Sequence, residues 1–350
     1  MKRSILAAAA LSAFAAPTFA QSSVTIYGIA DLGADMQRGG VAGTIYKVSS
    51  GIQSGSRLGF KGTLEVAPGL SALFVMEMGV SLDTGASNQG GLVWGRQAYA
   101  GLRTDYGSLT LGRQYTAVNN ALCGDIDPFG CGTAGHAGNL MSVGGTPTNG
   151  GNGSRTNNAI KFTSVDYSGV KGELTFAPGE VAGNHQAGHT LGGSIGYTKG
   201  LLTLRLAHNS VVNPTNTHTA NVTFLGGKLD AGPAVLALGY AINKGAFSAN
   251  SNIANPDSRD ILAGVSVPIG AGSLLASYIK RDDRFARNNA SQAAIGYSYA
   301  LSKALNLYTA YAHIHNTAPN TNAAAFYTVG NAIDAGTGDS AFNVGGRLAF

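Results

Sequence analysis

The chain is predicted to be all-β, a sixteen-stranded antiparallel barrel that crosses a membrane, on three observations. Only 12% of its 350 residues are charged although 44% are hydrophobic, whereas soluble domains carry roughly 25% charged residues. Beyond the N-terminus no run approaches the roughly eighteen consecutive apolar residues of a spanning helix. Instead, segments of about ten residues alternate between apolar and polar, separated by turn signals. This is the pattern of a strand with one face on lipid and the other on water.

The elements follow in order. Lys2 and Arg3, the apolar stretch from Ile5 to Phe14, and Pro17-Thr18-Phe19-Ala20 have the layout of a secretory signal, with cleavage expected after Ala20. Residues 21–350 then form the barrel. Of 23 Lys and Arg, two lie in this leader, so 21 face 18 acids in the remainder. That small excess, without a basic stripe, gives no reason to expect a nucleic-acid partner. In the first strand Val24, Ile26, Ala30, Leu32 and Met36 share a face opposite Thr25, Tyr27, Asp31 and Asp35. Near residue 75, Ala72, Phe74, Met76 and Met78 oppose Ser71, Leu73, Val75 and Glu77.

Short turns recur at Ala67-Pro68-Gly69, Asp105-Tyr106-Gly107, Tyr167-Ser168-Gly169, Lys199-Gly200, Ala231-Gly232-Pro233, Gly270-Ala271-Gly272 and Ser302-Lys303-Ala304. Eight longer polar loops lie between them, the longest over 117–154. Seven turns and eight loops connect sixteen strands, with short turns on one rim and long loops on the other, as in outer-membrane barrels. The last segment, Ser340 to Phe350, alternates again and places Phe342, Val344, Leu348 and Phe350 on one face. A free apolar edge strand invites aggregation, and closing the sheet in a membrane removes that edge. A soluble β-sandwich also alternates, but it explains neither the low charge nor this many strands.

Several segments resemble, in order, the strands of general Gram-negative porins, especially the beta-proteobacterial (Burkholderiales and Neisseria-like) branch. Val24-Thr25-Ile26-Tyr27-Gly28 is similar to the opening strand of that family. Ser56-Arg57-Leu58-Gly59-Phe60-Lys61-Gly62-Thr63 resembles the second. The segments 95–102 and 107–114 resemble the fourth and fifth. Asp127-Pro128-Phe129-Gly130 stands where the family carries a Pro-Glu-Phe-Gly-like turn in its long third loop, with the acid before the proline instead of after it. The resemblance implies a homotrimeric, water-filled general diffusion channel for ions and small hydrophilic solutes in the outer membrane. Its third loop would fold inward and narrow each pore. Membrane lipid and lipopolysaccharide would surround it, and the assembly machinery would read the terminal Phe350. No cofactor, catalytic group or metal is implied.

The constriction is read from charge and parity. Arg57 lies opposite Leu58 and Phe60 and so faces the lumen with Lys61. Arg96 opposes Tyr99 and Gly101, and Arg155 leaves the long loop at the wall. By resemblance, Arg57, Arg96 and Arg155 match the wall arginines of the family. Glu77 lies on the lumen parity, and Asp125 and Asp127 are the candidate facing acids. Fixed cationic walls favour anions, so a weak anion preference is expected. Arg113 shares parity with Leu109, Leu111 and Tyr115 and so points outward, as does Gln97. An arginine at the bilayer midplane costs roughly 2–4 kcal/mol, so both are expected at a subunit interface. Cys123 and Cys131 bracket the inward turn, and an oxidising compartment permits a disulfide; free thiols or a metal site are the alternatives. His313 and His315 share a face and are read as polar lining. The rival functions are a solute-specific channel, a barrel enzyme and a surface adhesin.

Overall fold

The computed structural model describes residues 23–41, 43–144, 153–245, 257–285, 287–317, 327–334 and 336–350. The expected leader lies outside them. The strands are β1 (Ser23–Gly40), β2 (Gly43–Ser50), β3 (Arg57–Ala67), β4 (Leu70–Gly79), β5 (Gln97–Thr104), β6 (Gly107–Tyr115), β7 (Arg155–Ser164), β8 (Val170–Ala177), β9 (Thr190–Lys199), β10 (Leu202–Val212), β11 (Thr219–Asp230), β12 (Val235–Lys244), β13 (Asp257–Ile269), β14 (Gly272–Asp283), β15 (Ala290–Ala300), β16 (Leu305–Asn316) and β17 (Ser340–Ala349).

Each strand pairs antiparallel with its neighbours, and β1 pairs with β17 to close the ring. The seventeen segments make sixteen staves. The long β1 carries β2 along its outer half, from Leu32 to Gly40, and β3 along its inner half, from Ser23 to Ile29. Thus β2 and β3 are one stave, interrupted at 51–56 where the chain leaves the wall. Closure leaves the sheet no free edge in the bilayer.

The faces are inverted relative to a soluble protein. Leu109, Leu111, Phe162, Leu174, Ile195 and Leu238 are exposed on the outside. Asp31, Asp35, Gln114, Asn209, Asp260, Gln292 and Asn343 are buried inside. A sandwich would bury the first set, so the alternation is resolved in favour of the barrel.

Between β6 and β7 the chain turns into the barrel as the third loop. Its first helical turns, Ala117–Asn119 and Asn120–Ile126, are capped by Thr116, whose hydroxyl accepts from the Asn119 amide. Ala121, Leu122, Ile126 and Phe129 are buried in one cluster with Phe224, Leu262, Ala294, Ala310 and Ala312 of the inner wall. The wall makes room by omitting side chains. A Cβ on Gly264 would collide with Pro128, and one on Gly296 would stand 2.9 Å from the Phe129 ring.

The seam between β1 and the end of the chain is also closely packed. Gly28 N donates to the Phe350 carbonyl at 2.9 Å, and Phe350 N donates to the Gly28 carbonyl at 3.1 Å. A Cβ on Gly28 would run into the Phe350 ring and lie 2.9 Å from the Arg57 carbonyl oxygen. Gly28→Leu is therefore expected to lower stability by about 1–3 kcal/mol through overpacking. The measurement is the urea midpoint of the refolded barrel, followed by circular dichroism.

Candidate pore constriction

Consecutive strands bring a charged cluster together where the third loop leaves the wall. Glu77, inward on β4, takes a 2.7 Å hydrogen bond from Arg96 Nε and one of 3.0 Å from the Tyr27 hydroxyl. Arg57 approaches the same carboxylate at 3.8 Å. It also donates to the Gly55 carbonyl at 2.8 Å and to the Ser54 hydroxyl at 2.9 Å. The Tyr115 hydroxyl accepts from Arg96 and from Arg155, each at 2.7 Å. The Arg155 guanidinium also stacks 4.4 Å from the Tyr115 ring centroid, a cation–π contact that fixes its plane. Gly55 leaves room for this set, because a Cβ there would lie 2.6 Å from an Arg96 nitrogen.

These arginines line a cavity of about 660 Å³. Arg57, Arg96, Tyr115 and Arg155 form the barrel side, Asn119, Asn120, Cys123 and Cys131 the third-loop side, and residues 331–334 of the last loop a third side. His136 also lines it; burial holds its imidazole down at about 4, so it adds no positive charge at neutral pH. Three guanidiniums thus meet one wall carboxylate, Glu77. Cys123 and Cys131 are joined in a disulfide with a Cα–Cα distance of 5.0 Å, which ties the tip of the third loop.

A family model described as "Gram-negative porin" matches residues 7–319. The chain belongs to the Gram-negative porin family. It is a channel of the outer membrane. Outer membrane porin protein 32 of Delftia acidovorans is 29% identical over 364 residues, covering all of both chains. An outer membrane porin protein of Bordetella pertussis is 28% identical, over 88% of this chain and 93% of its own. Among solved structures, an anion-selective porin from Comamonas acidovorans superposes with a TM-score of 0.78 at 25% identity. It covers 94% of this chain and 100% of its own. OmpT of Vibrio cholerae, solved in a trimer form, shares the fold with a TM-score of 0.68 at 16% identity, over 95% of this chain and 100% of its own.

The porin brings Arg57, Arg96, Arg155 and Glu77 together and separates the other expected residues from them. Lys61 shares the lumen face, but it lies four residues along β3 from Arg57, about 13 Å at the rise of a strand, over the Tyr27 ring. Asp125 accepts from Arg205 of β10 at 2.7 Å and is not among the residues lining the cavity. Asp127 is buried and does not reach the channel. Its carboxylate accepts from the backbone amides of Phe129, Cys131 and Ala137 and so folds the loop tip.

Gln97 also departs from expectation. It stands opposite Glu77 in the β4–β5 ladder, and directly opposed residues share a face, so it projects inward. Arg96 reaches the lumen because it precedes the ladder, and not through strand parity. Arg113 does face outward, opposite Ala98. Tyr115 does not: β6 is bulged between Gly112 and Gln114, and the tyrosine at its end swings into the cavity. Gly112 at φ +131° supplies backbone freedom for that bulge. His313 and His315 lie on the outer face of β16, alternating with buried Ala312 and Ile314.

Sequence reasoning missed Tyr115 and the excursion at 51–56. In that excursion the Ile52 carbonyl accepts from the Thr133 amide, and Gln53 accepts from Asn306 of β16 at 2.8 Å. An aromatic residue at a strand end before a long loop was the available signal for Tyr115. The excursion carries only the flanking Gly51 and Gly55.

Burial pushes the Asp127 carboxyl up to about 6, against the pull of its three amide donors on the charged form. The folded value lies above the ordinary 3.8. This group therefore adds stability that is fully present below that ordinary value and is lost as pH rises through about 6. The gap corresponds to about 3 kcal/mol. Asp127→Asn is expected to abolish that component. Urea unfolding of both proteins between pH 4 and 7 checks it: the stability difference between them should vary across this range and level off above it.

Proposed function

We infer that this porin is a general diffusion channel for ions and small hydrophilic solutes, with a weak preference for anions, and that it works as a homotrimer. The observation that carries the ion preference is the wall cluster, in which Arg57, Arg96 and Arg155 face one cavity and Glu77 is their one wall carboxylate. Fixed guanidiniums raise the local concentration of anions in a water-filled passage. The likeness to an anion-selective porin supports the same reading.

The trimer rests on Arg113. It faces the lipid side, and its guanidinium donates to the Gly95 carbonyl at 2.7 Å and to Asn157. A neighbouring subunit would remove that charge from hydrocarbon. The trimer form of a porin with the same fold agrees. Gln97 has no part in that contact. The exposed apolar belt suits membrane lipid, with lipopolysaccharide at the outer rim, and Phe350 at the seam suits recognition during assembly. Passive diffusion needs no catalyst, and the charged groups of the constriction hold one another instead of activating a nucleophile, so the porin is read as a channel and not an enzyme.

In planar bilayers under a KCl gradient, the native porin is expected to show a chloride-to-potassium permeability ratio above one. Arg57→Gln, Arg96→Gln and Arg155→Gln should each lower it by about two- to fourfold, because one charge some 10 Å from an ion in water shifts anion and cation about twofold each, in opposite directions, before screening. A native ratio below one would overturn the charge reading, and saturable block by a single solute would favour a solute-specific channel.

A further inference from the structure

We propose that the last loop supplies the acid facing the arginine wall, Asp334, and that Lys47 of β2 masks it, so that this pair is a second determinant of ion preference. The proposal rests on the anion-preferring reading above.

The third loop offers no such acid, because Asp125 is bound to Arg205 and Asp127 is buried in the loop tip. Among the described residues lining the cavity, Asp334 is the one carboxylate. Its position is held from several directions. The Asn331 side chain accepts from the amides of Ile333 and Asp334 at 3.1 and 2.9 Å, which closes a tight turn. Gly330 N donates to Asn139 of the third loop at 3.0 Å. The Thr337 amide and hydroxyl donate to Gln37 of β1 at 3.0 and 2.9 Å.

Ile333 places this turn beside the arginines. A Cβ on Gly55 would stand 3.0 Å from an Ile333 methyl and 2.6 Å from an Arg96 nitrogen, so Ile333 and Arg96 meet over the same backbone. The acid next to Ile333 therefore lines the same cavity as Arg57, Arg96 and Arg155.

The Lys47 ammonium hydrogen-bonds Asp334 and stands 3.7 Å from Asp35. Asp35 is buried, with its other contacts from Gln37 at 2.8 Å and Asn343 at 2.6 Å. One lysine thus serves two carboxylates. With it present, the Lys47–Asp334 pair contributes almost no net charge to the passage. Without it, Asp334 faces the cavity unmasked, while Asp35 keeps its donors Gln37 and Asn343.

The test uses purified full-length channels in planar bilayers and reads the chloride-to-potassium permeability ratio. Lys47→Gln should lower the ratio by about twofold or more, and Asp334→Asn should raise it by a similar factor, as expected for one charge some 10 Å from the ion. The double substitution should lie near the native value, and Lys47→Arg, which keeps the charge, should also retain it. Ratios unchanged in all variants would overturn the proposal, as would a Lys47→Arg channel that shifts like Lys47→Gln. A native channel that prefers cations would refute the anion reading, yet the opposite shifts of the two single variants would still decide this proposal.

Discussion

The channel depends on the seating of the third loop against the inner wall. A polar barrel interior has no use for Leu122, Ile126 and Phe129 unless they find an apolar floor, and β11 to β16 provide one with small residues. Burying these side chains is what draws the loop inward. Once it lies there, the cavity is bounded by the wall residues near β3 to β7, the third loop and the last loop. The wall arginines are where they matter because the opposite half of the barrel is occupied. The disulfide and the Asp127 turn act further out along the same element, keeping its tip compact beside the passage.

Three guanidiniums at the ends of alternate strands β3, β5 and β7 repel one another, and the wall answers with few groups. Glu77 holds Arg96 directly and Arg57 at longer range, and the Tyr115 hydroxyl takes one hydrogen bond from each of Arg96 and Arg155. A tyrosine hydroxyl satisfies two donors without adding negative charge. The cluster is thereby ordered while most of its positive potential stays available to the water it faces. A second carboxylate in place of Tyr115 would order the arginines equally well and cancel the field they project.

Much of this was legible in the sequence, for a physical reason: strand alternation is local. Two-residue periodicity and the long–short rhythm of loops and turns identified the barrel, and parity placed Arg57 and Glu77 correctly within continuous ladders. Parity failed where ladders end. At the start of β5 the reference residue misled: Tyr99, taken as outward, stands opposite Val75 on the Glu77 face, so Gln97 faces inward with it, and Arg96 reaches the lumen as expected but because it lies outside the ladder. Tyr115 follows a bulge. Asp127 looked like a channel acid because it sits beside the Pro128-Phe129-Gly130 turn that resembles the family's third loop; its three amide partners belong to a fold of the loop that no periodicity encodes. The pairing of Lys47 with Asp334 spans 287 residues, and nothing local marks either partner.

The break in the second stave has a consequence for how the barrel keeps its dimensions. Strand β1 is 18 residues long, and β2 and β3 are each registered on it separately, one on its outer half and one on its inner half. The segment between them belongs to neither ladder. A change in its length therefore slides no hydrogen-bonded pair, and the outer mouth and the inner wall can vary independently while β1 holds both to one axis. In a closed sheet, where a register slip in one stave is passed on to the next, such an uncoupled joint is a place where the bore can be reshaped from within without reopening the seam.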